Sequence, residues 1–550
     1  MHRFAHFLRP AAVLGVAFLA LATLSTGVLL ARPAPTHYVP IVDAATQKRN
    51  DPGHRTGDLA RGQKVFRFAT FGNEGFWTDA ARLPRGMMKA RFAIRQALRE
   101  GLMVDIEAVP APLRGQLKAQ FQTDLSRQNA PLLYDPKIAL QVLNANGFIG
   151  VVAVDSNSDG VTRVEAGDKV GVACAICHTV TDKSVYQEPG GGSVGSRVDG
   201  PGNFAINMGA ILAMADNSRA FYPNLQAQLG GKTIGRAPKG LTRFSSEAEV
   251  DAYLKNPRFY PRGTFDDTDD GIGNSVQNVP FLRTDLAAPW GSSAANAVLD
   301  HIANGSYTVN LDLTTIATHS GLRGLTKSNP KSGAELWNNY RFILQQTGVT
   351  NYPFVRAHPN GKPGQNLSPS GFQVNEYARL IDMNAYTDSL PAPPGLPVTD
   401  AAIRGRKVFE ANCVSCHNQN NSRPLKPVVI PIQRMWPAYA PIVIAKRQAP
   451  ATAVQNAPGI YDDKVVVEDA SERGEKRGFT MPLLVDLARK PFFLHDASVK
   501  SLDALLDPAR GAKSPHPFYL AKPQSRAEVV AFLKTLDTGE RRKAQQALRK

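Results

Sequence analysis

The four cysteines of this 550-residue chain form two short motifs that can hold a cofactor. They lie in the pentads CAICH, residues 174–178, and CVSCH, residues 413–417. Two thiols three positions apart on a helical turn face the same side, where each can add to a vinyl group of a porphyrin. The histidine that follows then presents its imidazole to the iron as the proximal ligand. Two such pentads predict two covalently attached c-type haems.

Other uses of paired cysteines fit these pentads less well. A structural zinc site needs four ligands, and each pentad supplies only three, with no obvious fourth nearby. A thioredoxin-like redox pair requires a βαβ context, which the surrounding sequence lacks. The predicted haem-binding residues are therefore Cys174, Cys177, His178, Cys413, Cys416 and His417.

The second axial ligand of each iron separates an electron carrier from an enzyme, because only an open position can bind peroxide or dioxygen. No histidine occurs between His178 and His301, and Met208 and Met214 lie in a stretch typical of a packed core. The first haem is therefore the better candidate for an open, reactive iron.

For the second haem, the sequence after the pentad offers several axial ligands. His516 is favoured because the prolines on either side fix its loop. Met481 is the alternative, since its thioether would raise the reduction potential, and His495 ranks third. An ordinary packed or surface role stays open for each of them.

The composition excludes several classes of protein. Hydrophobic residues make up 43% of the chain and charged residues 20%, which excludes a disordered or polytopic membrane protein. The formal net charge of +17 could attract an acidic redox partner or anionic lipid, but a diffusely basic surface is the simpler interpretation. No basic run with interleaved aromatic residues occurs, so no nucleic-acid partner is expected.

Residues 1–35 have the pattern of an export segment. Arg3 and Arg9 precede an uncharged apolar stretch at 11–31. This stretch is just long enough to span a bilayer and slightly longer than a usual signal-peptide core. A cleaved signal peptide and a retained membrane anchor are therefore equally supported. Either one predicts that the rest of the chain lies in a bacterial periplasm.

The elements that must position the pentads divide the chain into segments. Residues 55–165 form a leading helical segment, with β-rich stretches that predict a hairpin just before the first pentad. Residues 166–388 are the predicted N-terminal haem domain, 389–400 a Pro-rich linker, and 401–550 a C-terminal cytochrome c domain. The expected fold is mainly α, with two cytochrome c-like domains that each hold one covalent haem, long irregular loops and a small β-hairpin.

Capping residues predict three helix starts. Ser246 with Glu249, and Ser525 with Glu528, fit the capping box, in which each side chain bonds to the backbone N–H of the other residue. Asp400 is predicted to cap the helix that leads into the second pentad.

The C-terminal stretch GFTMPLLVDLARKPFFLHDASVKSLDALLDP resembles the bacterial di-haem cytochrome c peroxidase superfamily, which includes the MauG-type enzymes. Pro482 and His495 have the family's spacing of thirteen residues, and PFFLHDAS is similar to its P-Y-F-H-D-G motif. With the pentads, the resemblance covers both haem regions and leaves 55–165 unmatched. It implies that peroxide or dioxygen reacts at the N-terminal haem, while the C-terminal haem relays electrons.

The resemblance also implies roles for residues in PWGSSAANAVLDHIANG. Trp290 takes the place of the family's electron relay between the haems, and His301 or Asp300 that of the distal acid/base for O–O cleavage. A core role for Trp290 and a solvent-facing helix for the other two stay open.

Two positions depart from the family pattern. Ala509 stands where the peroxidases have a Met ligand and MauG-type enzymes a Tyr, and Val194 stands where peroxidases have a second His. The redox pairing of a standard peroxidase is therefore not expected. An already open first haem suits an oxidase or oxygenase better.

Calcium is a further candidate cofactor. Asp155, Asn157 and Asp159 open a D-x-N-x-D-G loop, but its twelfth position is Ala166 in place of Glu. A β-turn rich in Asp and Gly explains the same residues, and the acidic cluster at 266–270 is equally incomplete.

Together, these patterns predict a periplasmic di-haem c-type cytochrome oxidoreductase, with an enzyme favoured. The expected partners are hydrogen peroxide or dioxygen and a small redox protein or quinone-linked electron donor or acceptor. Two alternatives stay open: an electron-transfer cytochrome with both irons six-coordinate, and a di-haem oxygenase acting on an organic substrate.

Overall fold

The computed structural model describes residues 57–225, 241–256, 260–266, 275–286, 299–328, 333–359, 372–421, 428–431, 478–480, 482–494, 497–512 and 514–539, and the backbone of 39–40. The α-helices are α1 (Leu59–Phe68), α2 (Leu83–Lys89), α3 (Ile94–Arg99), α4 (Ala111–Gln120), α5 (Pro136–Asn144), α6 (Ala175–His178), α7 (Met208–Leu212), α8 (Glu247–Leu254), α9 (Leu299–Gly305), α10 (His319–Ser328), α11 (Gly333–Gln346), α12 (Tyr377–Ser389), α13 (Asp400–Asn412), α14 (Leu502–Leu506) and α15 (Pro523–Leu533). Short 3-10 or π-helical turns lie at Phe76–Ala80, Pro131–Tyr134, Val164–Ala166, Ser218–Leu225, Thr284–Leu286, Ser306–Asn310, Leu313–Ala317 and Pro508–Arg510.

The strands are short and pair locally. They are β1 (Val39–Pro40), β2 (Val104–Asp105), β3 (Val151–Val154), β4 (Lys169–Val172), β5 (Thr179–Thr181), β6 (Tyr186–Gln187), β7 (Ser193–Gly195), β8 (Arg197–Asp199), β9 (Thr264–Asp266), β10 (Ser275–Gln277), β11 (Ala357–Pro359), β12 (Phe372–Val374), β13 (Val428–Pro431) and β14 (Gly478–Thr480). The sheets are β2–β7–β6, β3–β4, β5–β8, β9–β10, β11–β12 and β1–β13–β14. The predicted mainly α architecture is confirmed.

Strands β3 and β4 form a hairpin directly before the first pentad. Val151 pairs with Val172 and Val154 with Lys169, in the stretch where β-branched residues predict a hairpin. Behind β4, the Asn73 side chain donates to the Val172 carbonyl at 2.8 Å and accepts from its N–H at 2.9 Å. The leading segment therefore fixes the strand that precedes the pentad.

The leading segment and the region around the first pentad share one hydrophobic core. It contains Phe76, Ile94 and Val142 from the leading segment with Ile176 and Phe221 from beyond residue 165, all at most 6% exposed. Short amphipathic helices are stable only when they bury an apolar face against neighbours. The predicted boundary at residue 165 therefore does not divide the packing.

A second core forms between α1 and α12. Val65 and Phe66 of α1 pack with Leu380 and Met383 of α12 and with Ala175, which lies within the first pentad. Helices α1 and α12, which lie at the start and the end of the N-terminal region, therefore both pack at the first pentad.

Helices α13 and α15 cross at a glycine. A Cβ at Gly405 would overlap the backbone of Glu528, so only glycine permits this close approach. At the same crossing, Arg404 Nε donates to Glu528 Oε1 at 2.6 Å. The rings of Phe409 and Phe532 also contact each other, with centroids 5.3 Å apart. These contacts join the first and last described helices of the C-terminal segment.

The capping prediction holds at α8 and is displaced by one residue at α13. Ser246 and Glu249 form the predicted capping box. At α13, the Thr399 side chain accepts the Ala402 N–H at 3.2 Å, so Thr399 caps the helix in place of Asp400.

The predicted capping box at the last helix is wrong. Helix α15 begins at Pro523, before Ser525, because proline is already set at the φ of a first helical turn. Glu528 lies well inside the helix and accepts from Arg404 and Gln524 instead.

Between the end of α12 at Ser389 and the start of α13 at Asp400, the Pro-rich segment has no regular secondary structure and is hydrogen-bonded at two points. The Leu396 N–H donates to the Lys534 carbonyl at 2.8 Å, just beyond α15. The Leu390 carbonyl accepts the Arg283 N–H, also at 2.8 Å. These bonds attach the predicted linker to residues of both of the predicted domains that it joins.

Across the described ranges, no helix is both long and apolar enough to cross a membrane. The predicted export segment, apolar stretch 11–31 included, lies outside those ranges.

Candidate haem-binding sites

The first pentad is a single helical turn between two strands. Helix α6 lies between β4 and β5, and the Cys174 carbonyl accepts the His178 N–H at 3.2 Å. Gly150, with a φ of +76°, packs so closely that a Cβ there would overlap the Ile176 backbone. A larger residue at this position would displace the pentad.

The His178 ring is held by two groups. Its Nδ1 lies 2.7 Å from the Val279 carbonyl oxygen. The ring also stacks on Phe281, with centroids 3.9 Å apart and an interplanar angle of 9°. Because a carbonyl oxygen only accepts, Nδ1 carries the proton, and the Nε2 lone pair is left for a metal. Burial lowers the pKa of His178 to about 4, which keeps the imidazole neutral.

Cys174 contacts two residues from distant parts of the chain. Its Sγ lies 3.4 Å from the Tyr307 hydroxyl and 3.8 Å from Met383 Sδ. Burial raises the pKa of Cys174 to about 11 and that of Cys177 to about 12, so both thiols stay protonated at neutral pH. Sequence reasoning missed Tyr307 and Met383, which lie 133 and 209 residues from Cys174.

The buried carboxylate of Asp199 connects the first pentad to neighbouring helices. Asp199 Oδ1 accepts the Thr179 hydroxyl at 3.0 Å. Its Oδ2 accepts Arg67 Nε and the Tyr386 hydroxyl, both at 2.6 Å. The Asp199 side chain is 2% exposed, and its donors include one positive charge that compensates the burial. Because Thr179 follows His178 directly, this network ties the pentad to α1 and α12.

The second pentad lies at the C-terminal end of α13. The Cys413 carbonyl accepts the N–H groups of Cys416 at 3.1 Å and His417 at 2.9 Å. One turn earlier, the Phe409 ring lies 6.4 Å from that of His417. Burial raises the pKa of Cys413 to about 12.

His417 and His516 lie close together beside the second pentad. Their ring centroids are 6.3 Å apart, and the rings are inclined by 47°. Two metal–imidazole bonds of about 2.0–2.1 Å each, with the ring radii added, separate two axial imidazoles by roughly this distance. Burial, with smaller contributions from His417 and Arg510, lowers the pKa of His516 to about 3. His516 is therefore a neutral imidazole.

The backbone of His516 has an uncommon conformation. Its φ is +54°, in the left-handed region. Its carbonyl accepts the Phe518 N–H at 2.8 Å, which closes a tight turn. Residues in this region persist where the surroundings hold them, often at functional sites. Its Nδ1 is buried without a hydrogen-bond partner among the described residues.

The other predicted site residues are placed only in part. Asp300 and His301 lie on α9, which continues into the π-helical turn that carries Tyr307. This element therefore lies beside the first pentad, although the side chain of His301 is not described. Trp290, Met481 and His495 lie outside the described residues.

The two methionines after the first pentad pack in the core. Met208 and Met214 lie against the large core, and Met214 Sδ accepts from the Gln96 amide at 3.9 Å. Val194 is fully buried in the same core. Ala509 lies in a short turn, where its N–H donates to Asp507 Oδ1 at 2.8 Å.

The acidic loop after β3 is a hydrogen-bonded turn. The Asp155 carboxylate accepts the N–H groups of Ser158 at 2.7 Å, Asp159 at 3.3 Å and Gly160 at 2.8 Å. These donors fit the β-turn interpretation better than a calcium loop. Within the described ranges, no group of three or more His, Cys, Asp or Glu residues is arranged to hold a metal ion. Residues 267–270 of the second acidic cluster lie outside those ranges.

A distant structural likeness links the chain to a solved enzyme. Hydrazine synthase of Kuenenia stuttgartiensis, pressurised with 20 bar xenon, is 14% identical over 58% of this chain and 87% of that chain, with a TM-score of 0.27. At that score the likeness carries no argument about fold or function. No protein-family model and no curated protein matches the chain. The resemblance to di-haem peroxidases therefore stays a prediction from sequence motifs.

Proposed function

We propose that this chain is an exported di-haem c-type oxidoreductase that reduces hydrogen peroxide or dioxygen. The first pentad holds the reactive haem, and the second holds the haem that relays electrons. One contrast carries the proposal. His417 has a second imidazole 6.3 Å away, whereas the ring stacked on His178 is the phenyl of Phe281.

The first pentad has the donor set of a c-type haem with a free axial position. Cys174 and Cys177 provide the thioether links, and His178 Nε2 provides the proximal ligand. The hydrogen bond from His178 Nδ1 to the Val279 carbonyl orients the ring and makes Nε2 a stronger donor. Phe281 stacks on the face of the His178 ring, so it orients the ring and leaves Nε2 free to bind iron.

The second pentad has the donor set of a six-coordinate haem. His417 and His516 would supply two imidazole nitrogens, since their ring centroids are 6.3 Å apart and a metal between them would have bonds of about 2.0–2.1 Å. Two such ligands would leave no position for peroxide, so a haem held here would exchange electrons only. The left-handed backbone of His516 holds the second imidazole in place.

Bound haem supplies a reversible iron redox couple at both sites and O–O bond activation at a free axial position. The residues of α9 supply the protons for that reaction. His301 or Asp300 acts as the acid/base, supported by the position of this helix next to Tyr307 and Cys174. Each peroxide takes up a pair of electrons and a pair of protons and leaves as water.

The electron donor is an acidic small redox protein or a quinone-linked protein of the periplasm. The net charge of +17 attracts acidic surfaces and raises association rates at low salt. Residues 1–35 direct the chain to that compartment, either as a cleaved signal peptide or as a membrane anchor.

A di-haem electron carrier is the second candidate, and Met383 favours it. Its Sδ lies 3.8 Å from Cys174 Sγ, and the residue is 1% exposed. Thioether ligands are used at electron-transfer haems. Met383 bound to the first iron would close the reactive position.

Mass spectrometry and ferric EPR spectroscopy of the full chain test these candidates. The enzyme predicts one covalent haem at each pentad, one high-spin and one low-spin signal, and loss of the high-spin signal on addition of peroxide. A pair of low-spin haems that do not react with peroxide supports the carrier. Met383→Leu sharpens the distinction, because it creates a high-spin signal in the carrier and leaves the spectrum of the enzyme unchanged.

A further inference from the structure

We propose that Gln277 carries the electronic connection between the two haem sites. This inference rests on the proposed function, since it requires a haem at each pentad. It assigns to Gln277 the connecting role that the family resemblance gives to Trp290.

The path begins at the first proximal histidine. His178 Nδ1 donates to the Val279 carbonyl at 2.7 Å. Val279 follows Asn278 and Gln277 in the chain, so the next steps are covalent. Asn278 is fully buried, and its N–H donates to the Gly263 carbonyl at 2.8 Å. The backbone between the two ends of this segment is therefore fixed.

The path then crosses to the C-terminal segment. Gln277 Nε2 donates to the Leu494 carbonyl at 2.5 Å, and Gln277 is 7% exposed. Phe493 belongs to the core that contains Phe409 and packs against Cys413 of the second pentad. Two hydrogen bonds, joined by covalent bonds, thus connect the first proximal histidine to the core around the second pentad.

Side chains from the two segments also contact each other near this crossing. Phe204 contacts Phe492 edge to face, with ring centroids 5.4 Å apart. The Lys490 ammonium lies 5.8 Å from the rings of both Phe204 and Phe493. Electronic coupling decays more slowly along covalent and hydrogen bonds than across van der Waals gaps. One electron leaves the second site and one arrives at the first, and the path itself transfers no proton.

The test measures electron transfer between the sites in the full-length protein with both haems bound. The haem at the second site is reduced by a short pulse, and absorbance follows arrival of the electron at the first. Gln277→Met keeps the side-chain length and removes the N–H donor. We expect a loss of transfer rate, because a van der Waals gap then replaces the hydrogen bond from Gln277 to the Leu494 carbonyl. Haem content and both resting spectra should stay unchanged.

Gln96→Met is the matched control, because it makes the same substitution and removes a hydrogen bond to Met214 that is not on the path. Its transfer rate should equal that of the unmodified protein. If Gln277→Met loses haem, the shorter amide of Gln277→Asn is measured with the same expectation. An unchanged rate in a Gln277 variant with both haems bound overturns the assignment, and slowing in Trp290→Phe alone assigns the role to Trp290. Fewer than one haem per pentad in the unmodified chain overturns the proposed function as well.

Discussion

The two pentads use the same residue pattern in opposite structural settings. The first is a four-residue helix between strands, and β5, α1 and α12 hold it through Asp199. The second ends a thirteen-residue helix and has a second histidine beside it. If both pentads hold haem as proposed, the surrounding elements and not the five-residue motif determine whether each iron has a free position. Four substitutions test that contrast.

The largest effect is expected from His516→Ala. Removing the second imidazole converts the second haem from low spin to high spin, while the signal of the first haem stays unchanged. Ferric EPR and absorbance spectra measure this change. His516→Met is the control, because a thioether keeps the iron six-coordinate and raises its reduction potential. A low-spin second haem in His516→Ala would instead assign the ligand to Met481 or His495.

Asp199→Ala should destabilise the first site alone. The substitution leaves Arg67 partly buried without its carboxylate partner, which costs about 3–5 kcal/mol of unfolding free energy. Denaturant unfolding followed at the first haem measures this loss. The control is Glu376→Ala, which removes an exposed ion pair with Arg379 and costs about 0–1 kcal/mol. Equal losses in both variants would show that Asp199 does not support the pentad.

Gly405→Ala should destabilise the second site alone. The added methyl group meets the Glu528 backbone and separates α13 from α15, at about 1–3 kcal/mol of unfolding free energy. Denaturant unfolding, followed by the absorbance of the second haem, measures this loss of unfolding free energy. Gly115→Ala, on α4 with no atom within 4 Å of the added Cβ, should stabilise by up to about 1 kcal/mol. A neutral Gly405→Ala contradicts the close crossing.

The smallest effect is a pH dependence at the contact between the two regions. Burial lowers the pKa of Lys490 to about 8 from its usual 10.5, while Asp486 opposes the shift. Between these values the unfolded chain binds a proton that the folded chain does not, so stability rises with pH across this window. Contacts of the ammonium with the Phe204 and Phe493 rings favour the charged form and so reduce the effect. The expected rise in unfolding free energy across the window is therefore about 1–2 kcal/mol.

Lys490→Met removes this contribution. Unfolding free energies of the variant and the unmodified protein, measured from pH 7 to 11, should differ in slope only between pH 8 and 10.5. Parallel curves would show that the Lys490 ammonium keeps its usual pKa in the folded protein.

The features that sequence patterns predicted are those determined by residues close together in the chain. The pentads and the hairpin could be found from spacing and β-branched alternation. The preference for His516 came from its flanking prolines, and its ring lies beside His417. Helix starts were less certain, because Thr399 and Asp400 are both good caps and only the folded backbone selects between them.

The surroundings of the first pentad could not be predicted. Val279 bonds to His178 from 101 residues away, and Tyr307 reaches Cys174 across 133 residues. Asp199 gathers its donors from both ends of the region. Each of these contacts arises from tertiary packing, and none of these residues belongs to a motif.

The anchored Pro-rich segment 389–400 limits how the two halves of the molecule can be rearranged. Because Leu390 is hydrogen-bonded to Arg283 and Leu396 to Lys534, the segment is a rigid connection and not a flexible hinge. A cytochrome from another protein, fused after residue 400, would need a final helix that offers the same hydrogen bond to Leu396. Without that bond, the fused domain would be flexibly attached, and its haem would no longer lie at a fixed distance from the haem proposed at the first pentad.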